Sequence, residues 1–377
     1  MSPTDRRIRV LIVDDSALIR KLLADLLRTS PEVEVVGFAR DGEEAIAEVI
    51  RLRPDVVTLD VNMPGRTGLE ILPELLAAHP VSVLMVSALT QEGADVTLAA
   101  LERGAIDFLP KPDRNQLSQL REAREQLIGK VLGAASARPA RRSSPRSTTP
   151  PAPEPPSAIA HRPQSESKSD SAETDLDLRT VAAAAACVVL GISTGGPQAL
   201  GAVLPLVNPP IPPVLIVQHM PATFTTVFAE RLNRTCSVVV KEAEEGDKLS
   251  PNRILIAPGG RHMTLIGNAS SCRVKLNDSP PVSGHRPSVD VLFAAAAKIY
   301  GGALVGIIMT GMGRDGVEGC KAILEAGGKT YGQDEATSAV YGMNKIAFQE
   351  RAVRVQFALE DLPALFRKFA RGMDRGA

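Results

Sequence analysis

Cys187-Val188-Val189-Leu190-Gly191-Ile192-Ser193-Thr194-Gly195-Gly196-Pro197 decides how the second half of this chain is read. An apolar run enters, a serine sits between glycines, and a proline follows where the first turn of a helix tolerates its missing N–H. A Gly-x-Ser-x-Gly turn from strand to helix exposes its hydroxyl, because glycine on each side lets the backbone bend sharply. Phosphate-binding turns share the pattern, so the segment offers either a nucleophile or an anion cradle. The partners at neighbouring strand ends must separate the two.

Around this turn, residues 187–191, 214–218, 253–257 and 303–309 read as short apolar strands alternating with helical segments, which predicts a mostly parallel α/β sheet. No charge occurs from Val181 to Gln218, but Gly195-Gly196-Pro197 and Pro209-Pro210-Ile211-Pro212-Pro213 cut that stretch into pieces too short to span a bilayer. His219 closes the strand Val214–Gln218, at the same sheet edge as Ser193. His262 follows Pro258-Gly259-Gly260, and His285 lies in a Gly/Pro-rich loop. Topology favours His219 as a base, although a strand-end histidine can equally be structural. Asp315 lies in Thr310-Gly311-Met312-Gly313-Arg314-Asp315-Gly316, directly after the strand 303–309. It is the candidate to orient the imidazole, with a glycine-rich phosphate loop as the alternative. The chain order Ser–His–Asp is that of neither the α/β-hydrolases, chymotrypsin nor subtilisin.

The whole chain has 377 residues, enough for two cores, and 43 basic residues balance 43 acidic ones. That balance, with no basic stripe or helix-turn-helix pattern, argues against nucleic acid as a partner. Cys187, Cys236, Cys272 and Cys320 form no CxxC pair and read as reduced thiols. The start, Met1 to Arg7, leads into a strand rather than a signal-peptide core, and a cytoplasmic protein without membrane insertion is expected. From Gly133 to Asp175, Ile159 is the only large apolar residue, so this stretch predicts a disordered linker. The division is then 1–132, a linker 133–180, and 181–377. As a coil, the linker spans about 35–40 Å.

Residues 8–131 alternate apolar strands (Ile8–Val13, Val33–Ala39, Asp55–Val61, Val81–Ala88, Ala105–Leu109) with amphipathic helices. Five βα units predict a doubly wound, flavodoxin-like sheet with its site beyond the carboxyl ends of the strands. Asp14 and Asp15 end the first strand, Asp60 the third, Ser87 the fourth, and Lys111 follows the fifth. Clustered carboxylates repel one another and call for a hard cation such as Mg²⁺.

Asp14-Asp15, Asp60-x-x-Met63-Pro64, Ser87-Ala88 and Lys111-Pro112 resemble the receiver domain of two-component response regulators. The resemblance implies phosphorylation of Asp60 by a histidine kinase. It also implies Mg²⁺ held by Asp14, Asp15, Asp60 and the Asn62 carbonyl, with Ser87 and Lys111 on the phosphoryl group. Phe108 falls near the family's aromatic switch position. In the second half, Gly191-Ile192-Ser193-Thr194-Gly195-Gly196, Gln218-His219-Met220-Pro221, Ile256-Ala257-Pro258-Gly259, His285-Arg286-Pro287-Ser288-Val289-Asp290-Val291-Leu292-Phe293 and Met309–Gly316 resemble the chemotaxis protein-glutamate methylesterase (CheB) family. This implies an α/β methylesterase domain that hydrolyses γ-glutamyl methyl esters on methyl-accepting chemoreceptors and deamidates receptor glutamines. Ser193, His219 and Asp315 would be catalytic, the backbone N–H groups of Met312 and Thr194 would form the oxyanion site, and the ester reaction would need no cofactor. A chemotaxis histidine kinase would donate the phosphoryl group, and the unphosphorylated receiver would cover the active site. His285 and Arg286 are candidates for substrate binding; Arg286 would contact the acidic receptor helix or satisfy loop carbonyls. The competing expectations are a response-regulator scaffold without turnover and a hydrolase of a small ester.

Overall fold

The computed structural model describes residues 6–87, 90–111, 117–137 and 185–370. The first domain runs β1 (Ile8–Val13), α1 (Ala17–Leu27), β2 (Val33–Ala39), α2 (Gly42–Leu52), β3 (Val56–Asp60), α3 (Gly68–Ala78), β4 (Ser82–Ser87), α4 (Gln91–Glu102), β5 (Asp107–Pro110) and α5 (Leu117–Ser136). Its five strands are parallel in the order β2-β1-β3-β4-β5, the flavodoxin-like order expected. The helices begin where the sequence supplies caps. Ser16 accepts from the Ile19 N–H, Asp41 from the Glu44 N–H, and Thr67 and Glu70 form a reciprocal capping box. Helix α5 continues to Ser136, four residues past the boundary set at 132. The rest of the expected linker, from 138 to 180, lies outside the described residues, as do Ala88 and Pro112.

The second domain contains β6 (Cys187–Ile192), α6 (Gly196–Val203), β7 (Val214–Gln218), α7 (Ala222–Thr235), β8 (Val239–Glu242), β9 (Arg253–Ile256), β10 (His262–Ile266) and β11 (Arg273–Asn277). It continues with α8 (Val289–Tyr300), β12 (Leu304–Ile308), α9 (Val317–Glu325), β13 (Lys329–Gln333), α10 (Met343–Gln349), β14 (Val355–Phe357) and α11 (Leu362–Phe369). Seven strands form a parallel sheet ordered β14-β13-β12-β6-β7-β9-β8, and β10-β11 make a separate antiparallel hairpin. The central strands β6, β7 and β12 are wholly buried, as their unbroken apolar runs predict. Strands β8, β13 and β14 and the hairpin escape the sequence reading because they are short or interrupted by polar residues, as in Lys329-Thr330-Tyr331-Gly332-Gln333.

Chain order reverses between β6 and β12: β7 and β9 continue on one side, β13 and β14 on the other. Ligand crevices form at such a switch point. Ser193, His219 and Asp315 follow β6, β7 and β12, three adjacent strands.

The two domains share one buried apolar cluster, in which Leu101, Ala105 and Phe108 join Phe224, Val227 and Phe228. Phe108 of β5 stacks on Phe224 of α7 with ring centroids 4.2 Å apart, a contact worth about 0.5–1.5 kcal/mol beyond its area. Gln198 of α6 donates its amide to the carbonyls of Leu101 (2.8 Å) and Ala105. Arg231 and Glu102 close the rim as a two-pronged ion pair.

Candidate active site

The turn after β6 is shaped by close approach. Gly195 has φ +78°, and a side chain there would also collide with the Ala339 methyl at 2.5 Å. A Cβ on Gly311 would lie 2.7 Å from the Ser193 Cβ. Gly311 lets the loop after β12 press against the serine, and Gly195 admits the loop between β13 and α10 beside it.

His219 Nδ1 lies 3.1 Å from Ser193 Oγ, and Nε2 lies 2.9 Å from Asp315 Oδ2. An ionised carboxylate only accepts, so Nε2 carries the proton and the Nδ1 lone pair faces the serine hydroxyl. Asp315 is buried and takes further bonds from Ser288 Oγ (2.7 Å), Val289 N (2.8 Å) and Asp290 N (3.1 Å). The last two are N–H groups of the first turn of α8, where backbone donors and the helix dipole favour an anion. Burial alone would raise the Asp315 carboxyl, but the bond from His219, its charge and the α8 donors hold it well below the usual range. Asp290 shows the opposite shift. Burial pushes it up to about 6, against the Gly319 and Gly316 N–H groups it accepts, with the Asp315 charge adding to the rise. Asp290 therefore ties the start of α9 to the start of α8, and so holds the loop bearing Asp315. The motif containing Ser288 and Asp290 was visible in the sequence; their bonds to the Asp315 loop were not.

The remaining histidines divide. His262 is buried and structural: its Nδ1 accepts the Ser288 N–H (3.2 Å) and its Nε2 faces the Pro280 carbonyl (3.1 Å). His285 stacks on His219 with ring centroids 3.8 Å apart and planes 14° apart. Arg286 donates to the carbonyls of Asp278 and Ser279, the loop-satisfying alternative of the two its sequence position allowed. Of the two backbone oxyanion candidates, neither the Thr194 nor the Met312 N–H has a hydrogen-bond partner among the described residues, whereas those of Ser193 and Gly311 are taken by Thr310 and Val340 carbonyls.

The first domain reaches into this site. Thr194, next to the nucleophile candidate, donates its hydroxyl to Asp107 Oδ2 of β5 at 2.6 Å, and Lys130 of α5 holds the same oxygen at 2.7 Å. Helix α5 lies against Met312, whose sulfur would be 3.4 Å from a side chain on Gly133.

In the acidic pocket, Asp14 and Asp60 are buried and Asp15 is exposed, with carboxylate oxygens of the three within 4.8 Å of one another. Lys111 Nζ lies 2.8 Å from Asp60 and 3.1 Å from Asp14. Burial raises Asp60 to about 6; Lys111 opposes this and the Asp14 charge adds to it. Asp14 Oδ2 is buried and faces Lys111 Nζ. Three carboxylates gathered around a single lysine leave an excess of negative charge and of oxygen donors, which fits a hard divalent cation. Asn62 meets Asp60 through its N–H at 3.2 Å. The Ser87 hydroxyl donates to the Gly93 carbonyl at the start of α4, so its expected place on the phosphoryl group needs a turn of that side chain.

An acidic pocket on a doubly wound domain, docked over an α/β domain with a Ser–His–Asp constellation, defines a response regulator with an enzymatic output. A family model described as the CheB methylesterase matches residues 188–366, and one described as the response regulator receiver domain matches residues 10–122. The chain is 43% identical over 369 residues to a protein-glutamate methylesterase/protein-glutamine glutaminase of Agrobacterium fabrum, covering 98% of each. It is 42% identical over 359 residues to one of Pyrococcus horikoshii, covering 95% of this chain and 92% of that protein. The solved Thermotoga maritima CheB methylesterase catalytic domain is 34% identical, with 49% of this chain and 98% of that one covered and a TM-score of 0.47. The chain belongs to the protein-glutamate methylesterase/protein-glutamine glutaminase family, and is a phosphorylation-regulated hydrolase of that kind. Among the described residues, no helix is long and apolar enough to cross a membrane.

Proposed function

We propose that Ser193, His219 and Asp315 carry out the hydrolysis by acyl transfer, on γ-glutamyl methyl esters of methyl-accepting chemotaxis receptors. The observation that carries this is the unbroken line Ser193 Oγ–His219 Nδ1–His219 Nε2–Asp315 Oδ2, at 3.1 and 2.9 Å. Ser193 Oγ attacks the ester carbonyl as its proton passes to His219 Nδ1. The tetrahedral oxyanion is met by the Thr194 and Met312 N–H groups, and the start of α6 adds a favourable dipole. His219 returns the proton to the departing methoxide, releasing methanol. Water, deprotonated by His219, then frees the glutamate and restores the serine. Asp315 keeps the Nε2 proton in place and stabilises each imidazolium, and these steps use no cofactor. A glutamine side chain passes through the same steps with ammonia as the leaving group.

Asp60 is the phosphoryl acceptor, with a chemotaxis histidine kinase as donor. Asp14, Asp15, Asp60 and the Asn62 carbonyl would hold Mg²⁺, which when bound supplies positive charge against the phosphoryl oxygens. Lys111 pairs with Asp60 and is placed to follow its added charge, and Ser87 turns from Gly93 to the phosphoryl group. Before phosphorylation the receiver covers the site through Asp107 on Thr194, α5 on Met312 and Phe108 on Phe224. The reading places the protein in the cytoplasm, with no nucleic acid partner.

Methanol release from methylated receptor membranes tests the reading. Wild type releases methanol faster there than from soluble glutamyl methyl esters, and Ser193→Ala loses the rate by about 10⁶-fold, the scale of removing a nucleophile. Full activity in Ser193→Ala would overturn it, and equal rates on soluble esters would favour the small-ester hydrolase.

A further inference from the structure

His285 has no part in the proton transfers above, yet it occupies one face of the proposed base. Its ring lies 3.8 Å from that of His219 and within 14° of parallel. The turn that presents it is tightly built. Val282 and His285 exchange both backbone hydrogen bonds, at 3.1 and 2.9 Å, and the two residues between them have φ of +52° (Ser283) and +77° (Gly284). Positive φ at both central positions is the type I′ pattern, which leaves little freedom at the residue that follows. The Arg286 guanidinium ties the same loop to the carbonyls of Asp278 and Ser279, and the Arg286 carbonyl accepts the Gly260 N–H. His285 Nδ1 faces the Ser283 carbonyl at 2.8 Å, so it carries the proton and Nε2 keeps the lone pair.

Two edge contacts fix the His219 ring within its plane. They leave it free to tilt about the line through Nδ1 and Nε2, and such a tilt swings the Nδ1 lone pair off the serine hydroxyl. A flat ring against the face blocks that motion. It also shields His219, whose side chain is only 8% exposed. We propose that His285 is a positioning residue of the hydrolytic reaction, its neutral imidazole packed on His219 and holding that ring in the plane that joins Ser193 to Asp315. The proposal rests on His219 being the base.

The charged surroundings suit this role. His219 and Asp315 face His285 from the catalytic loops, and Lys130 faces it from α5. Burial and the His219 and Lys130 charges push the His285 imidazole down to about 4, with Asp315 and the Ser283 carbonyl opposing. It therefore stays neutral when His219 takes a proton, and two cations are not stacked face to face. A metal role for the pair fits poorly. Lone pairs in nearly parallel planes 3.8 Å apart do not converge on one ion at the roughly 2.0–2.1 Å that imidazole ligation needs.

The test uses the full chain, phosphorylated with acetyl phosphate and Mg²⁺, in wild-type form and as His285→Ala, His285→Leu and His285→Phe. Kinetics of methanol release from methylated receptor membranes give kcat and KM, and fluorophosphonate labelling of Ser193 across pH reports the basicity of His219 without receptor. Misplacing a reacting group by about 1 Å costs up to about 10²-fold, so His285→Ala is expected to lose about 10- to 100-fold in kcat and labelling rate, with KM little changed. Its acid limb moves to higher pH as His219 gains water. His285→Phe keeps a flat ring and restores both the rate and the limb, while His285→Leu does not; the Leu–Phe contrast stands even if the alanine variant misfolds. Wild-type kinetics in His285→Ala, a phenylalanine variant as slow as leucine, or a loss confined to KM would each overturn the proposal. Ser193→Ala and His219→Ala in the same assay isolate the underlying reading: activity surviving in those two sinks the triad itself, whatever His285 does.

Discussion

The chain carries two carboxylates at equivalent places, and the folded protein shifts their affinities for protons in opposite directions. Asp60 ends β3 and Asp315 lies in the loop after β12, each beside the switch point of a parallel sheet. Asp60 is buried next to Asp14 with one lysine between them, and burial raises it to about 6. Asp315 is buried as deeply, but four donors from His219, Ser288 and the first turn of α8 keep it ionised. One topology thus yields a site in which carboxylates outnumber the single lysine and a site rich in donors. In the function proposed above, the first takes up Mg²⁺ and a phosphoryl group, and the second holds a histidine for proton transfer.

Breaking the donor-rich side has the largest expected effect. Asp315→Asn leaves the fold but presents an amide to Nε2, favouring the wrong tautomer. The same change in the serine-protease triad costs about 10⁴-fold in kcat, and a loss of that order is expected in methanol release.

On the acidic side, the folded value of Asp60 lies above its ordinary 3.8. Its contribution to stability is therefore present in acid and lost as pH rises through about 6. Melting of the metal-free chain should show that loss between about pH 4 and pH 6, and Asp60→Asn should remove it. Mg²⁺ at 100 times its Kd should add about 2.7 kcal/mol near neutral pH in wild type and less in acid or in Asp60→Asn.

The junction between the two sites gives smaller effects. Removing the Asp107 carboxylate deletes a charge-assisted bond to Thr194 worth about 1.5 kcal/mol, so Asp107→Ala should raise the unphosphorylated esterase rate about tenfold. Arg231→Ala breaks an ion pair at the exposed rim and should change that rate by about twofold or less. An Asp107→Ala chain with unchanged basal activity would show that Thr194 is not a point of restraint.

Much of this architecture was legible in the sequence. The five strands of the first domain are mostly apolar and the central strands of the second almost wholly so, and the residues at or just past their ends are polar for a reason. Ser193, His219, Asp315, Asp14, Asp60 and Lys111 all follow from strand-end placement. The contacts made by loops did not. Whether Arg286 turns to substrate or to the Asp278 and Ser279 carbonyls depends on the path of the hairpin loop, which periodicity does not encode. Strand β14 is three residues long, too short for alternation to register. The Asp107–Thr194 bond joins residues 87 apart in the chain and on different domains, and no local pattern marks either as a partner.

The most direct test of the central claim, that Ser193 is the output of a switch set at Asp60, is fluorophosphonate labelling of the full chain read by peptide mass spectrometry, with and without acetyl phosphate and Mg²⁺. The account predicts a single adduct on Ser193 that forms faster after phosphorylation, and an acceleration absent in Asp60→Asn. An adduct elsewhere, no adduct at all, or a labelling rate indifferent to phosphorylation would contradict it.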